Sequence, residues 1–394
     1  MSTSPIAAAR IADRLAPFGE TIFAEITRLA IAHDAVNLGQ GFPNFDGPDF
    51  VKDAAKAAID AGENQYARSI GVPALSHAIG AWFEAGGGPA VDPDAEITVT
   101  SGCTEAIPAT ILGLVNPGDE VIVFEPFYDS YRPCLSMAGA TPRYVTLRPP
   151  DFAFDPDALR AAFTDRTRAI IVNTPHNPTG KVFTRDELEL IARLCRRHDA
   201  IAITDEVYER LVFDVEHVRM ASLDGMRERT VTLSSLGKTF SLTGWKIGWA
   251  IAPPALTAGV RAAHQFLTYA TATPFQHGAV AALQAPQSYF DAFVAAYRER
   301  RDHLLRGLED VGFLVQPPDG TYFVLADHTP FGFPDDVTFC RHLIEHVGVA
   351  AIPPSAFYHD PADGASLVRF AFCKDLETLD EAVRRMRTRL RPVG

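Results

Sequence analysis

Cysteine is scarce in this chain. The 394 residues include five, Cys103, Cys134, Cys195, Cys340 and Cys373, an odd number with no pair at C-x-x-C spacing. A disulfide framework or zinc site is therefore not expected, and free thiols suit a reducing cytoplasm. No apolar run reaches about 18 residues without a charge or breaker, so no membrane span is expected. Met1–Ala9 lacks the basic start and apolar core of a secretory leader. Basic residues are in deficit, 36 Lys and Arg against 49 Asp and Glu, for a net charge of −13. That balance disfavours nucleic acid and anionic membranes as partners. Internal repeats and low-complexity tracts are missing too. No G-x-G-x-x-G follows a first strand, which argues against a nucleotide-binding dehydrogenase.

What is present is an ordinary globular composition, 47% hydrophobic and 22% charged. The length predicts about two domains. Short apolar runs rich in Val, Ile and Thr recur at Ile97–Thr100, Glu120–Phe124, Arg143–Leu147, Ala169–Val172, Ile201–Thr204, Thr230–Ser234 and Ile247–Ile251. They read as seven buried, mostly parallel strands. Amphipathic segments lie between them, such as Asp186–His198 with Leu188, Ile191, Ala192 and Cys195 on one face. The pattern predicts an α/β sheet covered by helices on both faces. From about Ser288 it changes to a long helix (288–311), a segment at Gly320–Leu325, a helix near 335–347, strands near Val349–Ile352 and Leu367–Phe372, and a last helix after Asp375. We assign residues 49–287 to a large domain, and 1–48 with 288–394 to a smaller α+β domain.

The densest chemistry is Ser234-Ser-Leu-Gly-Lys238, followed by Thr243-Gly-Trp-Lys246. A lysine among small residues after a buried strand is costly as an ammonium, and conversion to an imine removes that cost. A Schiff-base lysine implies a carbonyl cofactor such as pyridoxal 5′-phosphate (PLP). PLP needs a carboxylate for its pyridine nitrogen, a partner for its ring hydroxyl, a phosphate cup, and a cation for the substrate carboxylate. Asp205, ending the apolar run Ile201–Thr204, is the candidate carboxylate, although an Asp there also serves as a helix cap. Tyr208 and Asn177, the latter in Asn177-Pro-Thr-Gly180, are candidates for the ring hydroxyl. The cup is Ser101-Gly102-Cys103-Thr104, a glycine turn opening a helix, completed by Ser235 and Lys246. Phe127, in Glu125-Pro-Phe-Tyr128, is the candidate to stack on the ring. Arg369 interrupts the apolar run Leu367–Phe372 and can grip a carboxylate with both arms.

With these motifs together, the chain resembles the class I aminotransferases of the fold-type I PLP enzymes. It is most similar to the group of kynurenine aminotransferase, glutamine transaminase K and N-succinyldiaminopimelate aminotransferase. The resemblance runs from Asn37-Leu-Gly-Gln-Gly-Phe-Pro43 through Asn64-Gln-Tyr66 and Asp205-Glu-Val-Tyr208 to Arg369-Phe. It implies an amino-group transfer from an L-amino acid to a 2-oxo acid, in a homodimer with active sites at the subunit interface. Tyr66 then reaches the phosphate of the second subunit, and Tyr269 is an interface aromatic near the substrate. Phe23 covers the substrate side chain, and the backbone at Gly41 lies beside the substrate. Kynurenine aminotransferases often carry histidine where this chain has Ala270. Arg68 is a candidate cation for an acidic side chain. Relatives of this pattern also eliminate from the β-carbon of cysteine S-conjugates or run decarboxylating and oxidative reactions. Other proteins use the fold to sense PLP beside a DNA-binding domain, for which this acidic chain has no spare N-terminal segment.

Overall fold

The computed structural model describes residues 11–392, so the Met1–Ala9 segment read above for a leader lies outside it. Twelve strands are described: β1 (Val36–Asn37), β2 (Ile97–Ser101), β3 (Glu120–Glu125), β4 (Thr141–Thr146), β5 (Thr167–Asn173), β6 (Ile201–Asp205), β7 (Thr230–Ser235), β8 (Ile247–Ile251), β9 (Leu314–Val315), β10 (Phe323–Asp327), β11 (Val349–Ala350) and β12 (Leu367–Ala371). Seven of them form the central sheet in the order β2-β8-β7-β6-β5-β3-β4. The fold is α/β with a mostly parallel sheet; β8 alone runs antiparallel, to β2 on one side and β7 on the other.

The inner strands are mostly apolar because both faces are covered, whereas the edge strand β4 is partly exposed. Alternate residues supply the two sides: Val121, Val123, Ile171 and Ile203 enter one core, while Ile122, Phe124, Ile170 and Val172 enter the other. The second core receives Leu188, Ile191, Ala192 and Cys195 from the helix Arg185–His198. That helix starts at a capping box, in which the Thr184 hydroxyl accepts from Glu187 N and the Glu187 carboxylate accepts from Thr184 N.

β12, β10 and β9 make a separate antiparallel sheet behind the helices Gln287–Val311 and Leu376–Arg389. Beside it, β1 pairs in parallel with β11. The helix Ile22–Ala32 packs Ile26 and Ala30 against Ile344, Ile352 and Phe357. The expected helix near 335–347 is α-helical over Asp336–His342 and widens to a π-turn over Leu343–Val347. All five cysteines are free and buried. Among the described residues no helix is long and apolar enough to cross a membrane, and no cluster of metal-ligating side chains is found.

Candidate active site

A cavity of about 200 Å³ opens at the carboxyl ends of the parallel strands, where ligands of open α/β sheets bind. Strand register decides what meets there. Asn173 ends β5 directly beside Asp205 at the end of β6, and the Asn173 amide donates to the Asp205 carbonyl at 2.8 Å. Because β8 is antiparallel, its first residues lie beside the last residues of β2 and β7: Ile247 faces Ser101, and Gly248 faces Ser235. Lys246, just before β8, is thereby brought to the turn after β2. Its ammonium donates to Thr104 Oγ1 at 2.8 Å.

Two glycines permit this meeting. Gly102 has φ +73°, and a Cβ there would stand 3.3 Å from Lys246 Cε. A Cβ on Gly248 would stand 2.4 Å from the Gly102 carbonyl carbon. Gly102 caps the helix Cys103–Leu114, whose first amides have no partner within the helix. Glu105 and His264 brace the turn from behind: the Glu105 carboxylate accepts from Ser101 N, and His264 Nδ1 lies 2.6 Å from Glu105 Oε1.

Asp205 is buried. Its carboxylate accepts from Tyr131 Oη at 2.7 Å and from Val207 N at 3.4 Å. Burial raises its pKa, and it has no ion-pair partner among the described residues. Lys238 sits in the short helix after β7, with its pKa lowered by burial; Nζ donates to Tyr322 Oη at 3.0 Å. Tyr208 lines the same cavity and packs edge-on against Tyr322, 5.1 Å between ring centres.

Arg369 is 1% exposed. It donates to Asn177 Oδ1 at 3.1 Å and to the Gly39 carbonyl at 2.9 Å, while its Nε has no partner. Burial brings its pKa down to about 10. The rings of Phe323, Phe23 and Phe357 surround it at 4.2, 5.2 and 5.4 Å, and no carboxylate forms an ion pair with it among the described residues. A buried guanidinium held only by neutral acceptors and ring faces is poised for an incoming carboxylate.

Six expected residues do not line the cavity: Phe127, Arg369, Phe23, Gly41, Tyr66 and Tyr269. Phe127 is buried in the core, stacked 5.7 Å from Tyr144, with its amide on the Phe357 carbonyl. Tyr128, the next residue, lines the cavity instead. Gly102, Cys103, Thr104, Asn177, Asp205, Tyr208, Ser235, Lys238 and Lys246 all line it. Phe23 and Gly41 lie on the Arg369 side, where a Cβ on Gly41 would be 2.6 Å from Phe323 Cζ. Tyr66 is 86% exposed and meets Tyr269 edge-on at 5.6 Å, away from this subunit's cavity. Arg68 pairs with Asp94 at the surface, 3.0 Å apart.

Residues 33–386 match the family model of aminotransferase class I and II. The chain belongs to that family. It is 51% identical over 385 residues to a protein of Mycobacterium tuberculosis named as a probable N-succinyldiaminopimelate aminotransferase, DapC, covering 95% of this chain and 97% of that one. It is 40% identical over 375 residues to the methionine aminotransferase of Escherichia coli, at 95% and 97% coverage. The solved structure of the M. tuberculosis N-succinyldiaminopimelate aminotransferase superposes with a TM-score of 0.93 at 50% identity, covering 96% and 99% of the two chains.

This aminotransferase is therefore a PLP enzyme that moves an amino group between amino and 2-oxo acids. Its residues fit the cofactor. Asp205 is a buried carboxylate with no cation of its own, the Gly102 turn offers backbone amides beside Lys246, and a lysine with a lowered pKa stands between them. The sequence reading missed several residues at the site, among them Asn173, Tyr131, Tyr128 and Tyr322. Tyr128 lies one position from the residue chosen, and the turn after β3 gives no alternation from which to choose. Tyr322, in Gly320-Thr-Tyr-Phe323, is an aromatic on the way into a strand, with no motif to set it apart.

Proposed function

We propose that Lys238 would hold PLP through its amine and that the same amine, when free, would serve as the general base for the α-proton. Asp205 keeps the pyridine nitrogen protonated. Asn177 and Tyr208 hold the ring hydroxyl, with Tyr128 in place of Phe127 against the ring face. Gly102, Cys103, Thr104, Ser235 and Lys246 receive the phosphate. Arg369 orients the substrate carboxylate, with Asn177, Gly41 and Phe23 beside it. PLP bound here supplies the electron sink that makes the Cα–H bond acidic. The observation that carries this reading is a buried carboxylate, Asp205, lining the cavity together with Asn177, whose amide oxygen accepts from the buried guanidinium of Arg369, neither charge forming an ion pair among the described residues. Such groups are expensive unless a ligand completes them.

We place the enzyme in the cytoplasm as a homodimer. The exposed aromatics Tyr66, Phe266 (87% exposed) and Tyr269 support such an interface, with Tyr66 serving the cup of the second copy and Tyr269 near its substrate. Residues 49–287 form the cofactor domain and the remainder the small domain. The rings around Arg369 support a donor with an apolar or neutral side chain. An acidic side chain would lack a second arginine in this subunit's cavity, since Arg68 is paired with Asp94. The 51% identity to DapC supports a second reading, an N-succinylated diamino acid whose distal carboxylate is met from the other subunit.

Absorption spectra of the purified protein test these assignments. A visible cofactor band should vanish in Lys238→Ala. It should convert to the pyridoxamine form with methionine, or with N-succinyldiaminopimelate, when no oxo acid is present. Pyruvate or ammonia released without an acceptor would instead mark a β-lyase. A PLP band that survives in Lys238→Ala would overturn the assignment of the lysine.

A further inference from the structure

We infer that Tyr322 is the docking point of the free Lys238 amine and ties the proton-transferring group to the substrate-binding segment Gly39–Gly41. The inference rests on Lys238 being the Schiff-base lysine. The Lys238 amine does not hydrogen-bond to Asp205; it donates to Tyr322 Oη at 3.0 Å. Tyr322 has one hydroxyl hydrogen and directs it to the Gly41 carbonyl at 2.5 Å, leaving its lone pairs toward the lysine. Its ring is fully buried, set between Tyr208 and Tyr297 at 5.1 and 6.1 Å, so the oxygen is held in place. Its backbone is fixed as well, by the Phe372 amide on the Tyr322 carbonyl at 2.9 Å.

The chain Lys238 Nζ to Tyr322 Oη to Gly41 carbonyl spans three parts of the sequence. Two positions before Gly41, the Gly39 carbonyl accepts from Arg369. One short backbone segment therefore carries both the grip for the substrate carboxylate and the anchor for the lysine. An imine nitrogen would carry at most one hydrogen against the three of the ammonium, so the contact would be strongest for the free amine, which Tyr322 would hold on the side where Gly41 lies. Tyr322 acts through Lys238 and Gly41, so it is a positioning residue. A hydrogen bond from the ammonium to a neutral oxygen favours the charged form and offsets part of the lowering that burial causes.

Tyr322→Phe removes one buried oxygen and keeps the ring. The holoenzyme should still form its lysine-bound absorption band, which separates this proposal from the assignment of Lys238 itself; loss of the band in Lys238→Ala is the control for that assignment. In single turnovers with a donor amino acid, conversion should slow about 10- to 100-fold while the donor dissociation constant changes less than about threefold. The α-deuterium isotope effect should rise, because proton transfer becomes the slower step. In protein stripped of PLP, the pH profile for modification of Lys238 by an amine reagent should move to lower pH in Tyr322→Phe. Tyr322→Leu, with no ring, controls for packing and should add a fall in melting temperature. An unchanged isotope effect together with an unchanged modification profile in a well-folded Tyr322→Phe would overturn the proposal. So would a loss of donor affinity that accounts for the whole fall in rate.

Discussion

Five consecutive residues, Asp205-Glu-Val-Tyr-Glu209, separate into two kinds of electrostatics. Asp205 and Tyr208 line the cavity with Lys238, and Asp205 forms no ion pair among the described residues. Glu206 and Glu209 turn to the other side and enter a buried network. Arg219 donates to Glu206 at 2.6 Å and to Glu209, and its Nε donates to the Gly86 carbonyl. Trp82 Nε1 donates to Glu209 at 2.9 Å, Ser234 Oγ does so at 3.1 Å, and His217 Nε2 lies 3.0 Å from Glu206. Burial raises the pKa of Asp205. Glu209 is equally buried, yet Arg219 and Trp82 hold its pKa below the ordinary value. The two sets lie on the same stretch of chain, and what separates them is charge pairing. The charges of the network behind β6 are paired by Arg219, although Glu206 Oε1 and His217 Nδ1 lack a hydrogen-bond partner, whereas on the cavity side Asp205 forms no ion pair among the described residues.

Removing charges from the two sides should therefore have opposite consequences. Asp205→Asn should cost about two to three orders of magnitude in turnover. The PLP-free protein should melt no lower than wild type, because an unpartnered buried charge has gone. A clear fall in melting temperature would place Asp205 with the structural network. Arg219→Met leaves two buried carboxylates without a cation and should destabilise the fold by about 3–5 kcal/mol in denaturant titrations. Turnover per folded molecule should stay within a few-fold, and a selective loss of turnover would break the comparison. Arg369→Lys keeps the charge and loses the fork, so the donor KM should rise about 10-fold or more, with a smaller change in kcat.

The smallest expected effect concerns pH. His176 is buried against Thr179, and burial lowers its pKa from 6.5 to about 3. Its pKa is depressed in the fold, so the unfolded chain takes up the proton first. Its contribution to stability is complete above about pH 6.5 and is lost as pH falls toward 3, at up to about 1.4 kcal/mol per pH unit. His176→Gln should flatten that part of the stability profile in denaturant titrations at pH 4 and 6, and an equally steep profile would assign the slope to other groups.

The central strands were legible because both faces are buried and their residues are β-branched and apolar. Each of the seven expected runs coincides with a strand. β4 and β5 begin two residues before the expected runs, at Thr141 and Thr167, and β4 ends one residue short of Leu147; the differences that bear on the cavity lie at other carboxyl ends. The apolar signal stops at Thr100, Phe124, Thr204 and Ser234, while the ladders continue to Ser101, Glu125, Asp205 and Ser235. Backbone pairing carries the chain one residue past the point where hydropathy ends. Asp205 and Ser235, among those added residues, line the cavity. The antiparallel direction of β8 was not legible, since a run buried on both faces reads alike in either direction. It is nevertheless the feature that brings Lys246 to Thr104. The side-chain choice at Phe127 failed for a related reason: beyond the strand, period-two alternation no longer holds.

The pairing of β1 with β11 has a consequence for the order in which the molecule can be made. Ser101–Thr104, Asn177, Asp205, Lys238 and Lys246 all lie on or between strands of a sheet that is complete at Ile251. The segment at Gly39–Gly41 emerges from the ribosome before any of them. Yet Leu38, just before it, pairs with Ala350 and Ala371, Gly41 accepts from Tyr322, and Arg369 reaches Gly39 across 330 positions. That long closure must wait for nearly the whole chain. The segment at Gly39–Gly41, made early, is thus among the last to settle. The lining of the cavity can be assembled while the residues that meet Gly39 are still unwritten.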